Sequence, residues 1–128
     1  MARTASRRPP KALVPRIKVW LEIDGRYAFG FGLARMLQAV EQTGSIKQAA
    51  ADLGLSYRYV WGRIKDAEAA LGQALVRTQV GGQGSRRSSL TPLAQQFLAS
   101  FLRLRTDLVA EAARQFDRHA DWPQIPGP

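Results

Sequence analysis

Three short helices, each closed by a glycine (Gly44, Gly54, Gly72), follow a segment of alternating residues and precede a glycine-rich basic loop and one very long helix. That order predicts a mainly α domain with a small β component. It is a winged helix-turn-helix with an N-terminal β-hairpin and a long C-terminal dimerisation helix. At 128 residues, 45% apolar and 23% charged, the chain has the length and composition of one folded domain. The expected divisions are a disordered basic arm over 1–16, the winged helix-turn-helix over 17–90 with its wing at 75–90, the long helix over 91–119, and an irregular tail over 120–128.

The arm carries Arg3, Arg7, Arg8, Lys11 and Arg16 with three prolines and no acid, too little apolar surface to offset the entropy of ordering. Ile17, Val19, Leu21 and Ile23 then alternate with Lys18, Trp20 and Glu22, the pattern of a half-buried strand. Asp24-Gly25 is a hairpin turn signal, and Tyr27, Phe29 and Phe31 continue the alternation on a second strand. Leu33, Met36, Leu37 and Val40 share one helical face. Ser45 and Gln48 have capping-box spacing at the start of the second helix. Ala49, Ala50 and Ala51 let that helix approach the third, which Ser56 caps. Val60, Ile64, Ala67 and Leu71 are the third helix's core positions, and Trp61, next to them in sequence, is assigned to the core.

After an extended stretch at 74–80, Gly81–Ser89 reads as a loop, closed by Leu90. Thr91-Pro92 is an N-cap and first-turn pair opening the long helix. That helix carries two apolar stripes, Leu93, Phe97, Phe101, Leu104 and Leu108, and Leu98, Leu102, Val109, Ala112 and Phe116. One small domain does not cover both. A dimer interface through Leu98, Phe101, Leu102, Leu104, Leu108, Val109 and Phe116 is expected.

Nineteen Lys and Arg against ten Asp and Glu give a net charge of +9, which favours a polyanionic partner. The absence of cysteine removes disulfides, thiolate metal sites and cysteine nucleophiles. The single histidine, His119, sits at a polar helix end, and no nucleophile–base set is present. No enzyme activity, cofactor or metal is expected. No apolar run reaches the ~18 residues of a membrane helix, and a cytoplasmic protein without a membrane partner is the expectation.

The first turns of a recognition helix meet base edges in the major groove. On the third helix these solvent-facing positions are Tyr57, Arg58, Tyr59, Gly62 and Arg63. Arginine donates to guanine or phosphate, and tyrosine bonds phosphate or packs on a thymine methyl. Ser45 and Lys47 lie at the start of the second helix, whose N-terminus is a ready phosphate site, and Ser56 caps the third. Arg86 and Arg87 sit among glycines and serines that permit close approach to a phosphate backbone. The expected double-stranded DNA contacts are therefore Ser45, Lys47, Ser56, Tyr57, Arg58, Tyr59, Arg63, Arg86 and Arg87.

Thr43-Gly44-Ser45-Ile46, Ala49-Ala50, Leu53 to Arg58, Trp61, Leu75 to Thr78, Gly81 to Gly84 and Leu90 to Leu93 together resemble the DNA-binding domain of the ModE family of molybdenum-dependent transcriptional regulators. That domain is related to the winged helix of LysR-type regulators. The resemblance covers about residues 17–118. It implies a bacterial transcription regulator that binds a palindromic operator as a homodimer. Members of the family carry molybdate-binding domains after this region. Here nine residues, 120–128, follow the last helix, so a stand-alone form with no assigned molybdate site is expected and its effector is left open. Two other readings stand beside this one. One is a winged-helix module that binds a protein. The other is a non-specific architectural DNA-binding protein driven by the basic arm.

Overall fold

The computed structural model describes residues 11–81, 86–119 and 121–128. In chain order these residues form β1 (Trp20–Ile23), β2 (Arg26–Gly30), α1 (Phe31–Thr43), α2 (Ile46–Leu53), α3 (Tyr57–Leu71), β3 (Val76–Val80), β4 (Arg86–Leu90) and α4 (Pro92–Arg118). Two compact units result. One is residues 19–105, and the other joins the described parts of 1–18 and 106–128. The mainly helical winged helix-turn-helix expected from the sequence is the fold observed, with its leading hairpin and long final helix.

The core of the larger unit is built on the apolar face of α1. Leu33, Met36, Leu37 and Val40 are buried as their spacing predicts. They pack with Ala49 and Ala50 of α2, Val60, Ile64 and Ala67 of α3, Leu75, and Ala94, Leu98 and Phe101 of α4. Phe29 from β2 has no exposed surface. Its ring centroid lies 5.4 Å from Phe97 and 5.3 Å from Phe101. Ala51 does not share the role expected of it. It is exposed, and of the three alanines Ala49 and Ala50 are buried, beside Ile46, where α2 meets the core.

The leading hairpin departs from simple alternation. Asp24 and Gly25 both take positive φ, 51° and 75°, as a tight hairpin turn of the I′ kind requires. Pairing runs Trp20 to Gly30, Leu21 to Phe29, Glu22 to Tyr27 and Ile23 to Arg26, which leaves Ala28 as the extra residue of a bulge. The bulge resets the alternation, so Ala28 and Phe29 are both buried. The regular strand is shorter than the 17–23 expected, and Ile17 and Ile23 are exposed while Val19 and Leu21 pack on the core. Phe31 opens α1 and does not extend β2.

Capping follows the sequence closely. Ser45 Oγ accepts from Gln48 N–H at 3.0 Å, and Ser56 Oγ accepts from Tyr59 N–H at 3.0 Å. The reciprocal half of the box is different. Gln48 donates to Asp52, and the Ser45 N–H finds Thr43 Oγ1. Gly44, Gly54 and Gly72 close α1, α2 and α3 in the left-handed region, as their positions suggest.

The wing, β3 paired antiparallel with β4 from Val76–Leu90 to Val80–Arg86, is fastened at its base and its middle. Glu68 of α3 accepts the N–H of Leu75 at 2.8 Å and of Val76 at 3.2 Å, and its other oxygen pairs with Lys65. Ser88 N–H donates to Gly44 O at 2.8 Å, and the Ser88 and Thr78 hydroxyls share a hydrogen bond. Arg86–Ser89 therefore belong to a strand and not to the loop expected over 81–89, of which 82–85 lie outside the described residues.

Thr91 joins three parts of this unit. Its hydroxyl donates to Ala74 O at 2.8 Å and accepts from Ala94 N–H at 3.1 Å, and its own N–H donates to Leu75 O at 2.9 Å. The residue is buried, so Thr91→Val leaves a helix N–H and a carbonyl without partners. We expect a loss of about 1–3 kcal/mol. Urea unfolding should show a lower midpoint with an unchanged slope, and an unshifted midpoint would refute the role.

In the smaller unit the tail is not irregular chain alone. The Trp122 ring stacks on Phe116 at 4.9 Å, and its indole N–H donates to Phe116 O at 3.0 Å. Lys11 N–H donates to Ile125 O at 2.7 Å. Glu111 accepts from Gln115 and Arg114, and those bonds hold its carboxyl below the usual carboxylate range. Residues 1–10 of the expected arm lie outside the described residues.

Candidate nucleic-acid interface

Where α2, α3 and the wing meet, they bound a cleft of about 700 Å³. Ser45, Ile46 and Lys47 come from the start of α2, Tyr57 and Trp61 from α3, and Thr78, Arg86 and Ser88 from the wing. Each side chain arrives for a local reason. Ser45 is fixed by its own cap, which places Lys47 in the first turn of α2. Ser56 fixes α3 in the same way, and Tyr57 and Trp61, four apart, share one side of that helix. The Gly44–Ser88 hydrogen bond holds the wing beside the α1–α2 turn. Among the described residues neither Lys47 nor Arg86 pairs with an acid, so both charges remain for an outside anion.

Of the expected contact residues, Ser45, Lys47, Tyr57 and Arg86 line this one cleft. Ser56, Arg58 and Tyr59 are exposed at the start of α3. Arg63 is not free. Its guanidinium carbon stands 4.9 Å from the centre of the Tyr27 ring, and its Nε is buried. The side chain holds α3 against the leading hairpin. Gly30 serves the same packing, because a Cβ there would fall 2.1 Å from the Tyr27 hydroxyl. Arg87 also differs from its neighbour. Strand alternation separates it from Arg86, and it lines a second, smaller cleft with Glu41, Gly44 and Gln95.

Trp61 is the residue the sequence reading misassigned. It is 44% exposed and lines the main cleft, with the Lys65 ammonium 5.7 Å from its ring centre. Adjacency to Val60 in sequence is a turn of about 100° on a helix, which carries Trp61 off the core face. The usable signal was its spacing of four from Tyr57.

The expected dimer residues also divide. Leu98 and Phe101 are buried in the chain's own core, and Leu102 packs against it. Phe116 is covered by Trp122. Leu104, Leu108 and Val109 are exposed, at 40%, 38% and 42%. The helix is so placed that its first half serves its own chain.

The helix-turn-helix and the wing define the chain as a winged helix-turn-helix protein. The sequence profile of the bacterial regulatory helix-turn-helix proteins of the lysR family matches residues 31–95, and the chain belongs to that family. The chain is similar to the molybdenum transport protein ModE of Herbaspirillum seropedicae, 39% identical over 70 residues that cover 55% of this chain and 26% of that protein. It is also similar to the DNA-binding transcriptional dual regulator ModE of Escherichia coli K12, 29% identical over 92 residues, covering 71% of this chain and 33% of that protein. The chain thus spans about a quarter to a third of the length of these relatives. Its fold is that of the BenM DNA-binding domain solved with benA site 1 DNA, with a TM-score of 0.53 and 24% identity over 72% of this chain and 97% of that one. The CbnR DNA-binding domain in its DNA complex has the same TM-score with 23% identity, over 72% and 99%. Among the described residues no helix is long and apolar enough to cross a membrane.

Proposed function

We propose that this protein is a sequence-specific, double-stranded DNA-binding transcription regulator. In this reading it acts as a homodimer on a palindromic operator, with α3 in the major groove and the wing against the backbone. The observation that carries the reading is the cleft lined by Lys47 of α2, Arg86 of the wing, and Tyr57 and Trp61 of α3, with neither cation paired with an acid among the described residues. Two unpaired cations in one concave, partly aromatic surface suit a phosphate strand flanked by base edges. The +9 charge supplies the long-range attraction. The DNA bound by the BenM and CbnR domains, and the DNA-binding regulator that E. coli ModE is named as, support DNA as the partner. The molybdenum in the relatives' names makes promoters of molybdenum-related genes the first operators to test.

Selection of bound duplexes from a random pool tests the reading directly. An enriched inverted repeat is the expected result. A pool that stays random while duplex is still retained would put the non-specific architectural reading in its place, and no retained duplex at low salt would put the protein-interaction module there. A salt titration resolves the wing. Arg86→Ala should flatten the slope of log K against log salt by about 0.9 per subunit, one phosphate contact each. Arg87→Ala should flatten it less, because Arg87 stands outside the main cleft. An unchanged slope for Arg86→Ala would remove the wing from the DNA surface.

A further inference from the structure

Gly62 lies in the middle of α3, a place where glycine costs helix stability relative to alanine. The fold does not require it. A Cβ at Gly62 meets no surrounding atom within 4 Å, and its backbone takes no conformation reserved for glycine. Val60, Ile64 and Ala67 define the buried side of α3, and Gly62 lies on the opposite side, one turn after the exposed Arg58. Tyr59 and Arg58 stand three and four residues before it and Lys65 and Asp66 three and four after it, so these four exposed side chains are its neighbours on the helix surface. The outer face of the helix therefore has a notch between larger side chains, and nothing among the described residues fills it.

From this notch we infer that Gly62 is a specificity-determining position, at which the backbone of α3 comes into van der Waals contact with the edge of a base pair in the major groove. The inference rests on the DNA-binding reading above. It deepens that reading by naming where the closest approach occurs. A helix carrying side chains along its whole outer face is held off the groove floor. A bare Cα lets it sink, so that Arg58, one turn earlier, reaches a base edge. The stability given up at Gly62 is recovered only in the complex.

The test separates stability from recognition. In the full chain, Gly62→Ala should raise the midpoint of thermal unfolding by about 3–6 °C, because alanine is the better helix former and meets no obstacle. The same variant should bind the selected duplex about fivefold to tenfold more weakly, with affinity for random-sequence duplex unchanged. Gly62→Leu should stay folded and lose the preference for the selected duplex altogether. A variant more stable than wild type that binds the selected duplex as well as wild type overturns the inference while the DNA-binding reading stands. So does an equal loss on both duplexes, which marks a general backbone contact. If wild-type protein enriches no duplex, both readings fall together.

Discussion

Replacing Arg58 with alanine should cut affinity for the selected duplex by about 5- to 150-fold per half-site, the equivalent of the roughly 1–3 kcal/mol carried by one good bidentate base contact. Binding to random-sequence duplex should fall much less. Arg58 is exposed in the first turn of α3, behind the Ser56 cap, where a recognition helix presents its first residues to base edges. The contrast with Arg63 sharpens the expectation. Both arginines lie on the same helix, but Arg63 stacks on Tyr27 and Arg58 has no such tether among the described residues. Competition titrations with both duplexes decide the matter. An equal factor on the two would make Arg58 a phosphate contact.

Leu108→Asp should convert a dimer of this protein to monomers and weaken binding to the inverted repeat by about 10²-fold or more, because the second half-site is then no longer bound by a tethered partner. Leu108 and Leu104 are four apart on α4, and each keeps well over a third of its surface exposed. An aspartate at either position costs the isolated chain little. In an interface it becomes a buried, unpaired charge. Leu104→Asp should behave in the same way with the chain still folded by circular dichroism. Light scattering that gives a wild-type monomer at micromolar concentration would refute the dimer. The choice of residue matters, because Leu98→Asp or Phe101→Asp would test the core of the single chain instead.

These two cases show where sequence reasoning held and where it stopped. Periodicity located α4 and both of its apolar stripes, since 3.6-residue spacing is a property of the chain itself. It did not say which part of each stripe the chain would use on itself. That division depends on Phe29, which approaches α4 from β2 and takes up Phe97 and Phe101. Trp122 likewise takes up Phe116. Contacts between residues so far apart in sequence leave no periodic trace.

The same limit applies to the candidate interface. Local sequence was enough for the glycine stops at Gly44, Gly54 and Gly72, the caps at Ser45, Ser56 and Thr91, the tight turn at Asp24-Gly25, the buried face of α1, and the order of hairpin, helix-turn-helix, wing and long helix. All of these depend on hydrogen bonds or side-chain spacings spanning a few residues, so neighbouring letters encode them. Only the tertiary structure decided that Arg63 would be held by Tyr27, that Trp61 would join the cleft, that Arg86 and Arg87 would line different clefts, and that Glu68 would fasten the wing. Each of those outcomes turns on which partner lies across the fold, and a side chain's own neighbours in the chain do not specify that.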